Sequence, residues 1–166
     1  MIYIFCTIFL ILFIAFLYIF FNIVKLKDYK FSLEYSISSI EDALSKKFDC
    51  INDLLDDINN KGLKDKFSYN SETSLQEREN ALFSISWDIN KYVKDKKLDK
   101  FYEDVALLNS MEENLDGLKD FYNSNVLNYN EIFLKPYLNK IFKFFKFGDY
   151  KSFKVRKLED YEIFKN

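Results

Sequence analysis

The chain has 166 residues, of which 49 % are hydrophobic and 30 % charged, and its formal net charge is −2 at pH 7. It contains no histidine, which excludes histidine-based catalytic triads, HExxH zinc sites and the Glu-x-x-His di-iron pattern of helical bundles. The three glycines, Gly62, Gly117 and Gly148, are too scattered to form a phosphate-binding loop.

The N-terminal segment, residues 2–24, contains no charged residue, and only Thr7 and Asn22 are clearly polar. At about 1.5 Å per residue, a helix of this length reaches about 35 Å, enough to cross a hydrocarbon core of about 30 Å. A secretory signal peptide would have a basic start, a shorter apolar core and a small-residue cleavage site, and this segment has none of these. We therefore predict a retained transmembrane anchor over residues 1–24.

The charges that flank this anchor predict its orientation. Lys25, Lys27 and Lys30 follow it, whereas only the α-amine of Met1 precedes it. Because basic residues favour the cytoplasmic side, we predict a single-pass protein of the cell membrane whose soluble domain faces the cytoplasm. Cys50 has no partner outside the membrane segment, so the soluble part has no disulfide framework.

Apolar residues at intervals of three and four predict three long helices after the anchor. No proline or glycine lies between Met1 and Lys61, so the anchor helix is expected to continue into the first of them and to end near Gly62. Ser74 and Glu77 have capping-box spacing at the start of the second helix. The three predicted buried stripes are Ile37, Ile40, Leu44, Phe48, Ile51, Leu55 and Ile58; Leu75, Leu82, Ile85, Ile89 and Tyr92; and Phe101, Val105, Leu108, Leu115, Leu118, Tyr122, Val126 and Tyr129.

The predicted fold class is all-α, with an N-terminal transmembrane helix followed by an antiparallel bundle of long helices joined by short links. Residues 63–73 read as a polar connection, and the third helix is expected to run from Asp99 to Phe133. Pro136, the only proline, predicts a break before a short fourth helix. The predicted domains are the anchor (1–24), the helical bundle (25–147) and a basic, aromatic C-terminal tail (148–166).

The stretch FYNSNVLNYN repeats a Tyr-Asn pair seven residues apart, so its members share one helix face. Two interpretations remain open. In the first, the side chains bury their rings and satisfy their polar groups inside the bundle; in the second, they form a docking face for another protein. The residues concerned are Tyr122, Asn123, Val126, Tyr129 and Asn130.

The same stretch resembles the YN-x-x-V-x-x-YN signature of the LemA family of bacterial membrane proteins. The segment IEDALSKKFDCINDLL at 40–55 is similar to the first-helix pattern of that family, and the acidic and basic run from Glu113 to Lys119 fits as well. Asn52, Lys135 and the segment 94–98 depart from the family pattern. The resemblance implies a single-pass, membrane-anchored helical bundle, and some relatives are linked to membrane organisation.

Basic and aromatic residues alternate near the C-terminus. Lys140, Lys143 and Lys146 alternate with Phe142, Phe144, Phe145 and Phe147, and the pattern resumes at Lys151, Phe153, Lys154, Arg156 and Lys157. Such a segment can contact anionic lipid headgroups, or its rings can pack on the bundle while its lysines stay solvated. The residues that we assign to lipid contact are Lys140, Lys143, Phe144, Lys146 and Phe147.

Two functions follow from these features. The first is a noncatalytic membrane-anchored scaffold or adaptor, with protein partners or a second copy of the chain as its ligand. The second is a membrane-organising protein that contacts anionic lipid through the basic, aromatic segment. We predict no catalytic, metal or cofactor site, no small-molecule substrate and no nucleic-acid partner, because no recognised module supports one. Asp53, Asp56 and Asp57 are expected to form a solvated helix face.

Overall fold

The structure is a computed structural model that describes residues 2–154. Over these residues it contains helices and no strands, which confirms the predicted all-α class. The elements are α1 (Ile2–Ile58), α2 (Lys61–Lys66), α3 (Leu75–Asp95), a short 3₁₀ turn (Asp99–Phe101), α4 (Tyr102–Phe133) and α5 (Asn139–Phe144).

Helix α1 is a single element of 57 residues, as the absence of proline and glycine predicts. It is long and apolar enough to cross a membrane, and no residue of its apolar window is buried. The side chains from Ile2 to Phe16 are all exposed, so this part of the helix has no other part of the described chain packed around it.

Helix α1 ends earlier than predicted. Its last residue is Ile58, and Asn59 takes the left-handed conformation (φ 51°) that ends many helices. Asparagine tolerates this conformation better than most residues, so it terminates the helix where a glycine had been expected. Gly62 lies instead inside α2, which the Asn60 side chain caps by accepting a hydrogen bond from the Leu63 N–H (3.2 Å).

Contacts divide the described chain into two compact units. The first comprises residues 2–35 and 122–152, and the second comprises residues 36–121 with 153–154. These units do not follow the predicted boundaries at residues 24 and 147, and that division into anchor, bundle and tail stays a prediction.

Contacts between side chains give the directions of the helices in the second unit. Lys47 follows Glu41 along α1, whereas its partner Glu112 precedes Lys119 along α4, so these two helices run antiparallel. Helix α3 runs in the same direction as α1, because Arg78 contacts Glu41 while Asp88, later in α3, pairs with Lys66 next to the Phe67 that contacts Phe48 of α1. Residues 59–74 therefore return the chain between α1 and α3. Three ion pairs join α1 to α3, α3 to α4 and α1 to α4: Glu41–Arg78, Glu79–Lys119 and Lys47–Glu112.

The returning connection packs beside α1 through aromatic rings. The ring of Phe48 lies 5.7 Å from that of Phe67 and 4.4 Å from that of Tyr69, measured between centroids. Lys66 pairs with Asp88 of α3 at 3.2 Å. The connection is thus longer than the short link that the sequence predicted, because it must travel back along α1 before α3 begins.

Most of the predicted stripes form the core of the second unit. The buried apolar residues there are Ile40, Leu44, Ile51, Leu54, Leu55, Leu63, Leu82, Ile85, Ile89, Val93, Phe101, Val105, Leu108 and Leu115. Phe48, predicted to be central to the first stripe, is partly exposed, and its neighbour Lys47 is buried instead.

In the first unit, the later part of α4 and the segment after it pack against one side of α1 beyond the exposed stretch. Its buried apolar residues are Leu26, Leu33, Tyr122, Val126, Tyr129, Phe133, Leu138, Phe142 and Phe147. Helix α4 ends at Phe133, whose carbonyl accepts a hydrogen bond from Asn139 Nδ2 (3.0 Å). Pro136 lies between α4 and α5, as predicted.

Candidate functional site

The core of the second unit contains five ionisable side chains, which we call the buried charge network. Its members come from three helices, and four of them are at most 5 % exposed as side chains. They are Lys47 of α1, Glu79 of α3, and Glu112, Asp116 and Lys119 of α4.

Each charge in the network has an opposite charge beside it. Lys119 Nζ lies 3.1 Å from Glu79 Oε1 and 2.5 Å from Asp116 Oδ1. Lys47 forms an ion pair with Glu112. Because an unpaired charge in a protein interior is very costly, these pairings account for why the four residues tolerate burial.

Helical spacing places the network on the inner faces of its helices. Along α4, buried side chains fall at 105, 108, 112, 115, 119, 122, 126, 129 and 133, in alternating steps of three and four, and Asn125 is buried beside this stripe. Glu112 and Lys119 occupy two of these positions and lie two turns apart on one face. The Glu79 carboxylate also accepts a hydrogen bond from Gln76 Nε2 (2.7 Å), one turn earlier on α3.

Three of these side chains are carboxylates, whose oxygen atoms are suitable ligands for a hard cation. Oxygen atoms of Glu79, Glu112 and Asp116 lie within 4.8 Å of one another, and carboxylate oxygens are the ligands that Mg²⁺ and Ca²⁺ prefer. The ammonium groups of Lys47 and Lys119 already supply positive charge at these carboxylates. The arrangement therefore links the three helices electrostatically.

The Tyr-Asn signature lies in the first unit with its rings turned inward. Tyr122 is 4 % exposed, Val126 1 % and Tyr129 0 %. Asn123 is partly exposed, and Asn130 donates a hydrogen bond from Nδ2 to the Tyr150 carbonyl (2.9 Å). The structure thus brings the second Tyr-Asn pair together with the start of the tail.

The ring of Tyr150 completes this contact. It meets the Tyr129 ring edge to face, with 5.0 Å between centroids, and Tyr129 also stacks on Phe133 at 5.9 Å. Burial raises the pKa of Tyr129 from 10.0 to about 12, and nearby Tyr150 contributes to the rise. Burial also raises the pKa of Tyr122. These hydroxyls stay protonated well above neutral pH, so the cluster is an uncharged packing element there.

The thiol of Cys50 is partly buried on α1. Burial raises its pKa, and the carboxylates of Asp104 and Asp53 raise it further. Since the thiolate is the nucleophilic form, this environment suits a packing role. The carboxylates of Asp53, Asp56 and Asp57 lie on exposed positions of the same helix.

Four of the five residues assigned to lipid contact are exposed. Lys140, Lys143 and Lys146 are on the surface, and Phe144 is 82 % exposed. Phe147 is only 8 % exposed, and its ring packs edge to face on Phe142 at 6.4 Å. Arg156 and Lys157, which continue the basic pattern, lie outside the described residues.

The turn that ends α5 explains the inward position of Phe147. Lys146 has a left-handed conformation (φ 60°), and the Phe147 N–H donates to the Phe142 carbonyl (3.1 Å). This is the hydrogen bond of a Schellman motif, in which the residue after the turn packs against the last turn of the helix. The motif sends Phe147 inward while Lys143 and Phe144 remain outside.

Another polar contact lies at the end of the apolar part of α1, at residues for which no contact was predicted. Lys135 Nζ lies 3.1 Å from Asn22 Oδ1 and 3.4 Å from the Tyr18 hydroxyl. It is also 5.6 Å from the centroid of the Tyr18 ring, within the range of a cation–π contact. The signals present in the sequence were the lone Asn22 at the end of an apolar run and a lysine beside the only proline.

No protein-family model, curated protein or solved structure matches this chain. The functional argument therefore rests on the chain's own residues and on the geometry of its two units.

Proposed function

We propose that this protein is a noncatalytic, single-pass membrane protein whose helical bundle acts as a scaffold for protein partners at the membrane surface. The observation that carries this proposal is the continuity of α1. The same unbroken helix supplies the exposed apolar stretch at Ile2–Phe16 and the buried Lys47 of the charge network. The helix that carries the anchor therefore also supplies core residues of the bundle.

The composition of the core supports a structural role for the bundle. Buried ion pairs contribute less to stability than apolar packing of similar volume, but they can select one register among several. In the second unit, two such pairs join α4 to α1 and to α3. A bundle with a fixed register presents a constant outer surface, as a scaffold requires.

The proposed topology places this surface in the cytoplasm, on the basis of Lys25, Lys27 and Lys30. A chain with Cys6 and Cys50 changed to alanine and Ser71 changed to cysteine tests the side. Ser71 is exposed in the second unit, so its replacement should leave the fold intact. We expect a membrane-impermeant thiol reagent to label this cysteine in lysed cells and not in intact ones.

The scaffold proposal is tested by affinity purification of the full chain in mild detergent, followed by mass spectrometry. The matched variant replaces residues 2–16, all exposed, with an unrelated apolar sequence of equal length. Recovery of the same stoichiometric partner with both proteins supports docking on the bundle. Recovery with the natural span alone would assign the contact to the membrane segment, and the absence of any stoichiometric partner, including a second copy, contradicts the scaffold proposal.

The resemblance to the LemA family supports the same interpretation, since it implies a membrane-anchored helical bundle. It remains a hypothesis carried by the segment 40–55 and by the Tyr-Asn signature.

A further inference from the structure

The first unit begins to cover α1 before its apolar stretch ends. All side chains from Ile2 to Phe16 are exposed, Leu17 and Ile19 are partly covered, and Asn22 is 6 % exposed. The predicted membrane segment extends to Val24. Part of the first unit therefore lies alongside the last two turns of that segment.

Lys135 identifies the part of the chain that reaches this level. Its ammonium group contacts Asn22 Oδ1 and the Tyr18 hydroxyl, so its backbone lies within one lysine side chain of those residues. Leu134, Pro136 and Tyr137 are its neighbours in sequence and lie at a similar level.

The thickness of a bilayer locates these residues along the membrane normal. At about 1.5 Å per residue, a hydrocarbon core of about 30 Å takes about 20 helical residues. The apolar run ends at Val24, just before Lys25, so the core ends within the turn of α1 that precedes this lysine. Asn22 and the ammonium group of Lys135 then lie where hydrocarbon gives way to headgroups, the position at which lysine side chains extend toward the interface.

The segment around Lys135 exposes large apolar side chains. Leu134 is 61 % exposed, Tyr137 92 %, Phe144 82 % and Phe145 53 %. Tyrosine is enriched at membrane interfaces, because its ring is apolar and its hydroxyl is polar. Exposed aromatic rings grouped in this way commonly mark a surface that something else covers.

The charge of the segment is uniformly positive. Residues 134–148 contain Lys135, Lys140, Lys143 and Lys146 and no acidic residue. The last three of these lysines are exposed. Basic residues close to a membrane are attracted to anionic headgroups, and the attraction falls off within a Debye length of the surface.

We propose that residues 134–146 form a second membrane contact, in which Leu134, Tyr137 and Phe144 enter the interface and Lys140, Lys143 and Lys146 bind anionic lipid headgroups. This juxtamembrane surface rests on the proposed membrane span. It deepens the proposed function by naming a lipid partner for the first unit. Two observations select lipid over protein as the occupant: the surface adjoins the end of the span through Lys135, and its charge is complementary to an anionic leaflet.

The proposal predicts where single side chains lie in a bilayer. The full chain, with Cys6 and Cys50 changed to alanine, is spin-labelled at one introduced cysteine and placed in nanodiscs of phosphatidylcholine and phosphatidylglycerol. Four positions are compared: Leu10→Cys in the span, Tyr137→Cys and Phe144→Cys on the juxtamembrane surface, and Leu127→Cys. Leu127 is 68 % exposed and belongs to the same unit, about two turns of α4 before Leu134.

We expect the labels at 137 and 144 to collide with apolar oxygen more often than with a water-soluble nickel complex, as at position 10. The label at 127 should show the reverse order. Labels that are water-exposed at 137 and 144 but lipid-exposed at 10 overturn the juxtamembrane contact and leave the span intact. A water-exposed label at 10 would instead overturn the span. Low collision with both reagents at 137 and 144 identifies a protein cover and also overturns the lipid contact.

The lysines are tested separately. Changing Lys140, Lys143 and Lys146 to glutamine should move the labels at 137 and 144 toward water in the anionic nanodiscs, without a change at position 10. In nanodiscs of phosphatidylcholine alone, the natural and glutamine proteins should give the same values. An unchanged depth in anionic nanodiscs would show that the lysines do not bind headgroups. Far-UV circular dichroism of each labelled protein verifies that its helices are intact.

Discussion

Lys47 of α1 and Glu112 of α4 form an ion pair inside the second unit, with side chains that are 1 % and 5 % exposed. The two residues are 65 positions apart in sequence, so the pair forms only when both helices are in register. Removing one partner of a buried pair leaves an uncompensated charge, whereas replacing both partners with apolar residues leaves no buried charge. This asymmetry gives the first prediction.

Lys47→Met should lower the free energy of unfolding by about 3–5 kcal/mol, because it leaves the Glu112 carboxylate buried without its lysine. The double variant Lys47→Met with Glu112→Leu should recover most of this loss. Chemical denaturation of the full chain in detergent, followed by circular dichroism, measures the free energy of unfolding. The double-mutant cycle compares the natural chain, Lys47→Met, Glu112→Leu and the double variant.

The exposed pair Lys64–Asp56 serves as the control for this cycle. Its atoms lie 2.6 Å apart, but the side chains are 38 % and 76 % exposed. Lys64→Met should therefore cost less than about 1 kcal/mol. If Lys47→Met were as mild as Lys64→Met, the buried pair would have no special role in the fold.

The buried charge network could be predicted only in part from the sequence. The apolar stripe on α4 was read correctly at Leu108, Leu115 and Tyr122, and it leaves the inward positions 112 and 119 open. Charged side chains are rarely fully buried, so the sequence pattern predicts no core residue at these two positions. The available signal was register, because Glu112 and Lys119 continue the steps of four and three. Their partners on α1 and α3 follow only from the tertiary arrangement.

The Tyr129 cluster predicts a loss of stability at alkaline pH. Burial raises the pKa of Tyr129 to about 12, above the 10.0 of an ordinary tyrosine. Below pH 10 the hydroxyl is protonated in both folded and unfolded chains, so its contribution is complete. Between pH 10 and 12 only the unfolded chain releases the proton. The free energy of unfolding should then fall by up to about 1.4 kcal/mol per pH unit from this residue.

Tyr129→Phe tests this expectation, since it keeps the ring and removes the ionisable group. The slope of stability against pH should become shallower between pH 10 and 12, although the raised pKa values of Tyr122 and Tyr150 leave part of it. Tyr35→Phe, at a side chain that is 66 % exposed and outside the juxtamembrane surface, is the matched control. Equal slopes for the natural chain and Tyr129→Phe would contradict the assignment.

The start of α3 gives a prediction that the sequence alone supplied. Ser74 accepts a hydrogen bond from the Glu77 N–H (3.3 Å), and Glu77 Oε2 accepts one from the Ser74 N–H (3.0 Å), which confirms the predicted capping box. Ser74→Ala should lower the free energy of unfolding by about 1 kcal/mol. Ser71→Ala, at an exposed position in the preceding turn, should change it little. Equal losses for the two variants would show that the cap contributes nothing.

Local signals of this kind were readable because both partners lie within one helical turn. The end of α1 was harder to predict from the sequence, since Asn59 and Gly62 are both residues that can end a helix. The path of residues 59–74 depends on Phe48 meeting Phe67 and Tyr69, a contact that no local pattern specifies. Long-range packing therefore determines the path of residues 59–74, and it also determines the position of Lys135 beside Asn22.

The end of α3 has a left-handed lysine where glycine would be favoured. Lys97 has a φ of 50°, and the Leu98 N–H donates to the Val93 carbonyl (3.0 Å), as in a Schellman motif. A side chain with a Cβ is strained in this conformation, and glycine is not. Lys97→Gly should therefore raise the free energy of unfolding by about 0.5–1 kcal/mol, despite the greater freedom that glycine gives the unfolded chain. Lys96→Gly, one residue earlier at a φ of −90°, relieves no strain and should lower stability by up to about 1 kcal/mol. A higher denaturation midpoint for Lys97→Gly and a lower one for Lys96→Gly, each relative to the natural chain, identify the left-handed turn. Lower midpoints for both variants would show that Lys97 is not strained.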